Sequence, residues 1–140
     1  MKKSILSILF ALFLVTSLVS CVPASPKLGL YKGTSADKEF SFEFFVTSTG
    51  IRSLKFTFEG ANYQEFSDPD HPLMKIGWDG SFSGEWRLNL TEDDIIKGKI
   101  NGDTASGEYS LGWMDQYLGF VPPVKGSWTA TWVNSTGIGW

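Results

Sequence analysis

At 140 residues, with 15 glycines, 15% aromatic residues and a formal net charge of −3, the chain has the length of one domain and enough apolar material for a core of its own. No Lys/Arg stripe interrupts the acidic balance, which argues against nucleic acid or anionic lipid as a partner. A single cysteine, Cys21, excludes an internal disulfide framework.

The chain begins with Lys2 and Lys3, followed by an apolar run from Ile5 to Val19 broken only by Ser7, Thr16 and Ser17. That is a charged start followed by the apolar region of an export signal. As a helix the run would reach about 22 Å, short of a ~30 Å hydrocarbon core, so a cleaved signal over residues 1–20 fits better than a permanent span. An uncleaved anchor is the alternative.

Leu18-Val19-Ser20-Cys21 resembles the lipobox of bacterial lipoproteins, with Val19 and Ser20 in place of the commoner smaller pair. The resemblance implies that Cys21 is the lipidated first residue of the mature chain. An odd cysteine in an exported protein is otherwise a free thiol, an intermolecular bridge or a chance neighbour of an ordinary cleavage site. Stable anchoring takes more than one acyl chain, palmitate for example, each buried methylene contributing ~0.8 kcal/mol. The expected location is the extracytoplasmic side of the cell envelope, held at the membrane by lipid. Val22 after the cysteine supplies no acidic signal for retention at an inner membrane.

Residues 21–27 form a lipidated tether: "VPASPK", with Pro23 and Pro26, has nothing to bury and prefers extended backbone. The single folded domain is expected over 28–140. Removing the leader takes Lys2 and Lys3 with it and leaves a net charge of about −5.

From there the chain alternates. Phe40, Phe42, Phe44 and Val46 share one parity, as do Leu54, Phe56 and Phe58. Met74, Ile76 and Trp78 follow, then Trp86, Leu88 and Leu90, then Ile96, Gly98 and Ile100. Tyr109, Leu111 and Trp113, and finally Trp128, Ala130 and Trp132, complete the series. A period of two places each set on one strand face. Turn signals stand between them at 47–50, 78–81 and 101–103. The expected fold is all-β: about eight antiparallel strands closing into a sandwich or small barrel, preceded by a signal-peptide helix. Its first strand, "GLYKG", and its last, "GSWTATW", are expected side by side, because each otherwise leaves an open edge.

Ser83-Gly84-Glu85-Trp86-Arg87-Leu88 is echoed by Ser106-Gly107-Glu108-Tyr109-Ser110-Leu111. The echo reads as two similar strand starts, each glycine sitting at a bulge or beneath a crossing aromatic ring. Together "GLYKGTS", "FSFEFFV", "IRSLKFTF", "DGSFSG", "GKINGDTASGEYSL" and "GSWTATW" resemble a small β-domain recurring in uncharacterised bacterial secreted proteins and lipoproteins. The resemblance spans roughly residues 29–133 and implies the all-β fold without implying an activity. Members of that group often carry a cysteine pair inside the domain, which this chain lacks.

Candidate chemistry is sparse. His71, the only histidine, lies between Asp68, Asp70 and Pro72. One His without a second His or Cys is a poor transition-metal set, and a solvated loop explains the composition. Glu92-Asp93-Asp94 offers hard oxygens but not a calcium-loop pattern, and reads as a charged loop tip. Glu85 and Glu108 on the echoing strands lack a cleft for glycoside hydrolysis. Neither a nucleophile elbow nor a cofactor motif is present, so no enzyme activity, metal or cofactor is expected.

Aromatic residues are the richer resource. Trp86, Trp128 and Trp132 alternate as core residues. Trp113, Tyr117 and Phe120, in a long Pro-closed loop at 112–123, read either as a plug over the fold or as a binding surface, with Trp78 as a further candidate. The expected role is non-enzymatic, either binding or structural. The candidate ligands are a glycan, as for a carbohydrate-binding module, or an envelope protein, including a secreted enzyme that this chain would inhibit or assist.

Overall fold

The computed structural model describes residues 22–58, 62–68, 70–86, 94–115 and 119–136. The expected signal segment, Cys21, Leu88, Leu90, Glu92, Asp93, Tyr117 and Trp140 lie outside them. Eight strands follow in chain order: β1 Gly29–Ser35, β2 Phe40–Thr47, β3 Gly50–Phe58, β4 Asn62–Ser67, β5 Ser81–Trp86, β6 Asp94–Asn101, β7 Thr104–Asp115 and β8 Gly119–Asn134. All are antiparallel in a single sheet of order β4-β3-β2-β1-β8-β7-β6-β5, curled into a half-barrel. No helix occurs among the described residues.

Each half of the sheet is a meander of four strands, because short turns pair every strand with its sequence neighbour. The halves join where β1 meets β8, with Tyr31 opposite Trp132, Gly33 opposite Ala130 and Ser35 opposite Trp128. This is the expected meeting of first and last strands. A crossover between Ser67 and Ser81 links the two ends of the sheet order, and β4 and β5 are not hydrogen-bonded to each other.

The expected strand at 74–78 is part of that crossover. It makes one isolated bridge, Ile51 to Met74, then turns tightly, Gly77 N–H donating to Ser81 O at 2.7 Å. Met74 reaches the core while Trp78 is 95% exposed. Ile76 also packs partly against the core, so the alternation holds through Met74 and Ile76 and ends at the turn that carries Trp78, because a segment crossing the mouth of a curled sheet has no edge to extend.

The curl is visible in the ring contacts. Phe44 of β2 and Phe82 of β5 stand five places apart in the sheet order, yet their rings are 6.0 Å apart across the interior. Phe40 and Phe42 likewise meet Tyr109 of β7 at 5.3 and 5.6 Å. Tyr31 stacks on Phe44 at 5.1 Å and 4°, and Trp128 packs edge-on against Phe44. Full burial of such rings stabilises by roughly 1.5–3 kcal/mol each.

Space for Trp128 comes from small neighbours. The register runs Phe82, Gly98, Gly107, Trp128 across four strands, and a Cβ on Gly98 would lie 2.6 Å from the Trp128 ring. The indole therefore extends sideways over glycine to reach Phe82 at 5.9 Å. Gly107 of the echo is a close-approach glycine of another kind, since its Cβ would meet backbone, Lys97 O at 1.9 Å.

On the outer face, Lys32, Glu43, Lys55 and Glu65 stand opposite one another across β1 to β4, alternating in sign. The Lys32–Glu43 pair closes at 2.9 Å. Cross-strand pairs of this kind favour one register by a few tenths of a kcal/mol to about 1 kcal/mol.

Candidate functional site

The expected loop at 112–123 is mostly strand. β7 and β8 continue past their neighbours as a two-stranded arm: among described residues, β6 pairs with β7 only up to Ser110, and β1 pairs with β8 only as far as Trp128. The arm keeps its own ladder, Leu111 to Val124, Trp113 to Val121, Met114 to Phe120 and Asp115 to Gly119. Gly112 and the two prolines, the residues that read as loop markers, share a bulge in which one residue of β7 faces two of β8. Proline is tolerated there because no ladder donor is needed.

The arm is braced at its base by Asp94. This carboxylate is 1% exposed, and its Oδ1 accepts the N–H of Gly112 at 2.6 Å, the donor that the bulge removes from the ladder. Its Oδ2 is buried with no partner among the described residues. The reading of Glu92-Asp93-Asp94 as a charged loop tip is therefore corrected at Asp94. The parity that turns Ile96 and Ile100 inward turns Asp94 inward too, and that signal was present in the sequence. Beside the brace, an open groove of about 690 Å³ is lined by Ile95, Lys97, Glu108, Ser110, Lys125 and Ser127, with Lys97 and Glu108 paired at 2.9 Å.

Trp113 and Phe120 thus share one hairpin, and Tyr117, between its strands, lies outside the described residues. Their register partners, Val121 and Met114, give Trp113 and Phe120 opposite pleat parity. Trp78 does not join them. It stands by the β2–β3 turn, the following Asp79 and Gly80 reach Lys99 and Ile100 near the end of β6, and Thr104 to Trp113 is nine residues of strand, about 30 Å.

The end that carries Trp78 also holds the start of the domain. Ala24 N–H donates to Asn101 Oδ1 at 2.9 Å, and Ala24 O accepts from Gly102 N–H at 3.1 Å. Lys27 N–H donates to Gly102 O at 3.0 Å, while the Tyr31 hydroxyl donates to the same carbonyl at 2.7 Å. Lys27 Nζ lies 3.7 Å from Asp103 and 4.9 Å from the Trp132 ring centroid. Trp132 Nε1 donates to Leu28 O at 3.0 Å. Residues 24–27, part of the segment whose composition marks a semi-rigid tether, are strapped to the β6–β7 turn.

The remaining candidates serve local structure. Asp68 Oδ1 accepts the N–H groups of Asp70 and His71 at 2.8 and 3.0 Å, which closes its loop as an Asx-turn and holds its carboxyl below the usual range. Asp79 repeats the device toward Ser81. Glu85 and Glu108 lie two strands and two residues apart, roughly 12 Å between Cα atoms, and Glu108 is committed to Lys97. Among the described residues no three His, Cys, Asp or Glu side chains converge.

Comparison of the chain with protein-family models, with curated proteins and with solved structures found no match.

Proposed function

We propose that the chain is a lipid-anchored protein of the bacterial cell envelope, attached through Cys21, whose β-domain holds the β7–β8 arm out as a non-enzymatic binding element. The observation that carries this reading is the opposed placement of anchor and arm. The strap at Ala24 and Lys27 brings the chain from Cys21 onto the β6–β7 turn, while the arm leaves the far end of the same strands.

The arm is apolar and aromatic at Trp113, Met114, Phe120 and Val121, the composition of protein-binding hot spots. A projecting two-stranded ribbon favours a protein partner, which can pair with or embrace it, over a flat sugar ring. No group in this reading acts as acid, base or nucleophile.

Two measurements test the two parts. Mass spectrometry of the mature N-terminus is expected to find a diacylglyceryl cysteine at residue 21, and Cys21→Ser to release the protein from membranes; an unmodified Cys21 sinks the anchor. A photo-crosslinking residue at position 120 is expected to capture an envelope protein that the same residue at position 39 does not. Equal or absent capture at both positions sinks the arm as a binding element.

A further inference from the structure

We propose that the end of the half-barrel around Trp78 and Leu28 rests in the headgroup layer of the bilayer, so that the domain stands on the membrane in one fixed orientation. The inference rests on the lipid-anchor reading of Cys21 and adds a second, non-covalent membrane contact to it.

Among the described residues four large apolar side chains are strongly exposed: Val22 at 86%, Leu28 at 54%, Trp78 at 95% and Val133 at 44%. All four lie at the strapped end. Val22 is two residues ahead of pinned Ala24, Leu28 precedes β1, and Val133 is the penultimate residue of β8. Trp78 faces Pro26 and Leu28 across a groove of about 290 Å³ whose other wall is the β2–β3 turn at Thr47 to Gly50. Scattered exposed apolar residues need no explanation, but four gathered at one end mark a contact surface.

The length of chain outside the fold identifies what that surface meets. Ala24 is fixed to Asn101 and Gly102, and three peptide steps back to Cys21 span at most about 11 Å. The headgroup layer on each side of a bilayer is itself roughly 5–8 Å deep. A lipid on Cys21 therefore holds the domain within a few ångströms of the headgroups, and the end that comes down is the strapped one, which carries Leu28 and Trp78.

The chemistry suits a lipid interface. Tryptophan is enriched at headgroup level, where its ring meets acyl carbon and its N–H meets water. The nearby carboxylates are matched, Asp103 by Lys27 at 3.7 Å and Asp79 by Lys99 at 3.8 Å, so little unpaired negative charge opposes approach. The arm then points away from the membrane.

The test uses the full chain extracted from membranes and reconstituted into vesicles of phosphatidylethanolamine and phosphatidylglycerol with brominated acyl chains. Tryptophan emission is expected to be quenched, and Trp78→Phe, an exposed substitution, to lose most of that quenching. A lipidated Cys21 leaves no free thiol, so a fluorophore on Ser48→Cys reports the strapped end and one on Glu39→Cys the opposite end. Quenching at Ser48 without quenching at Glu39 supports the orientation.

If Cys21 resists thiol labelling but Trp78 and the Ser48 label are unquenched, the membrane contact is overturned and the anchor stands. The contact is also overturned if a photo-crosslinker at position 78 captures protein in place of lipid. If wild-type Cys21 takes the label, the anchor reading fails. The contact then stands on quenching of Trp78 alone and falls without it.

Discussion

Tyr31 ties three parts of the chain together. Its ring stacks on Phe44 inside the sheet, its backbone pairs with β2 and β8, and its hydroxyl donates to Gly102 O beneath the strap. Burial, with the Asp103 carboxylate adding to it, pushes the phenol above its ordinary pKa. Burial does the same at Tyr109, helped by Asp37 and Glu39. A raised folded-state pKa means that the folded chain keeps protons the unfolded chain has lost, so this contribution is fully present below about pH 10 and is lost as pH rises through the folded value. Thermal unfolding followed from pH 9 to 11 is expected to show a falling Tm. In Tyr31→Phe the slope should be shallower, at the cost of about 1 kcal/mol at pH 7 for the lost hydrogen bond. An unchanged slope would show that Tyr31 does not contribute.

At the scale of elements, the arm departs furthest from its local sequence signals. Gly112, Pro122 and Pro123 are loop residues by propensity, yet the bulge lets the hairpin run through them because Asp94 takes the N–H that the ladder cannot. The prediction belongs to that pair. Asp94→Ala leaves a buried N–H unpaired and is expected to destabilise by about 1–3 kcal/mol, with amide hydrogen exchange rising first over residues 111–115. Asp94→Asn keeps an acceptor at the same place and should retain most of the protection. Equal exchange in both variants would assign the arm's order to the ladder alone. β4 is the other element that the alternation missed. Phe66 packs partly against the core, and no other residue of its parity in the sequence of β4 is apolar, so the strand shows one apolar residue where the central strands show three or four.

For the molecule as a whole, the decisive contact is the join of β1 to β8, made between residues roughly a hundred positions apart. Closing so long a loop is costly in entropy and slow, so the two meanders are expected to form before they meet. Gly33 sits at the join, where a Cβ would lie 1.9 Å from Thr129 O and 2.6 Å from the Ala130 Cα. Those are backbone atoms that cannot swing away. Gly33→Ala is therefore expected to destabilise by roughly 1–3 kcal/mol as an overpacking change, although alanine elsewhere in a strand would be neutral or better than glycine. A urea midpoint equal to that of wild type would place slack at the join.

Alternation by itself determined the all-β class, the inward set Phe40, Phe42, Phe44, Leu54, Ile96 and Trp128, and the pairing of first and last strands, because side-chain period and the need to cover an edge are local or nearly local properties; it reached a total of eight strands only by counting 74–78 and passing over β4. The sequence also carries an apolar run, Ile5 to Val19, ahead of Cys21. Tertiary structure alone decided the rest. Trp128 finds its room over Gly98 of another strand, the arm holds because a carboxylate from β6 accepts the Gly112 N–H that the bulge leaves out of the ladder, and the strap forms because Ala24 and Lys27 find a turn more than seventy residues away. Each is a contact between distant residues, and neither period nor propensity in one strand carries information about what faces it from another.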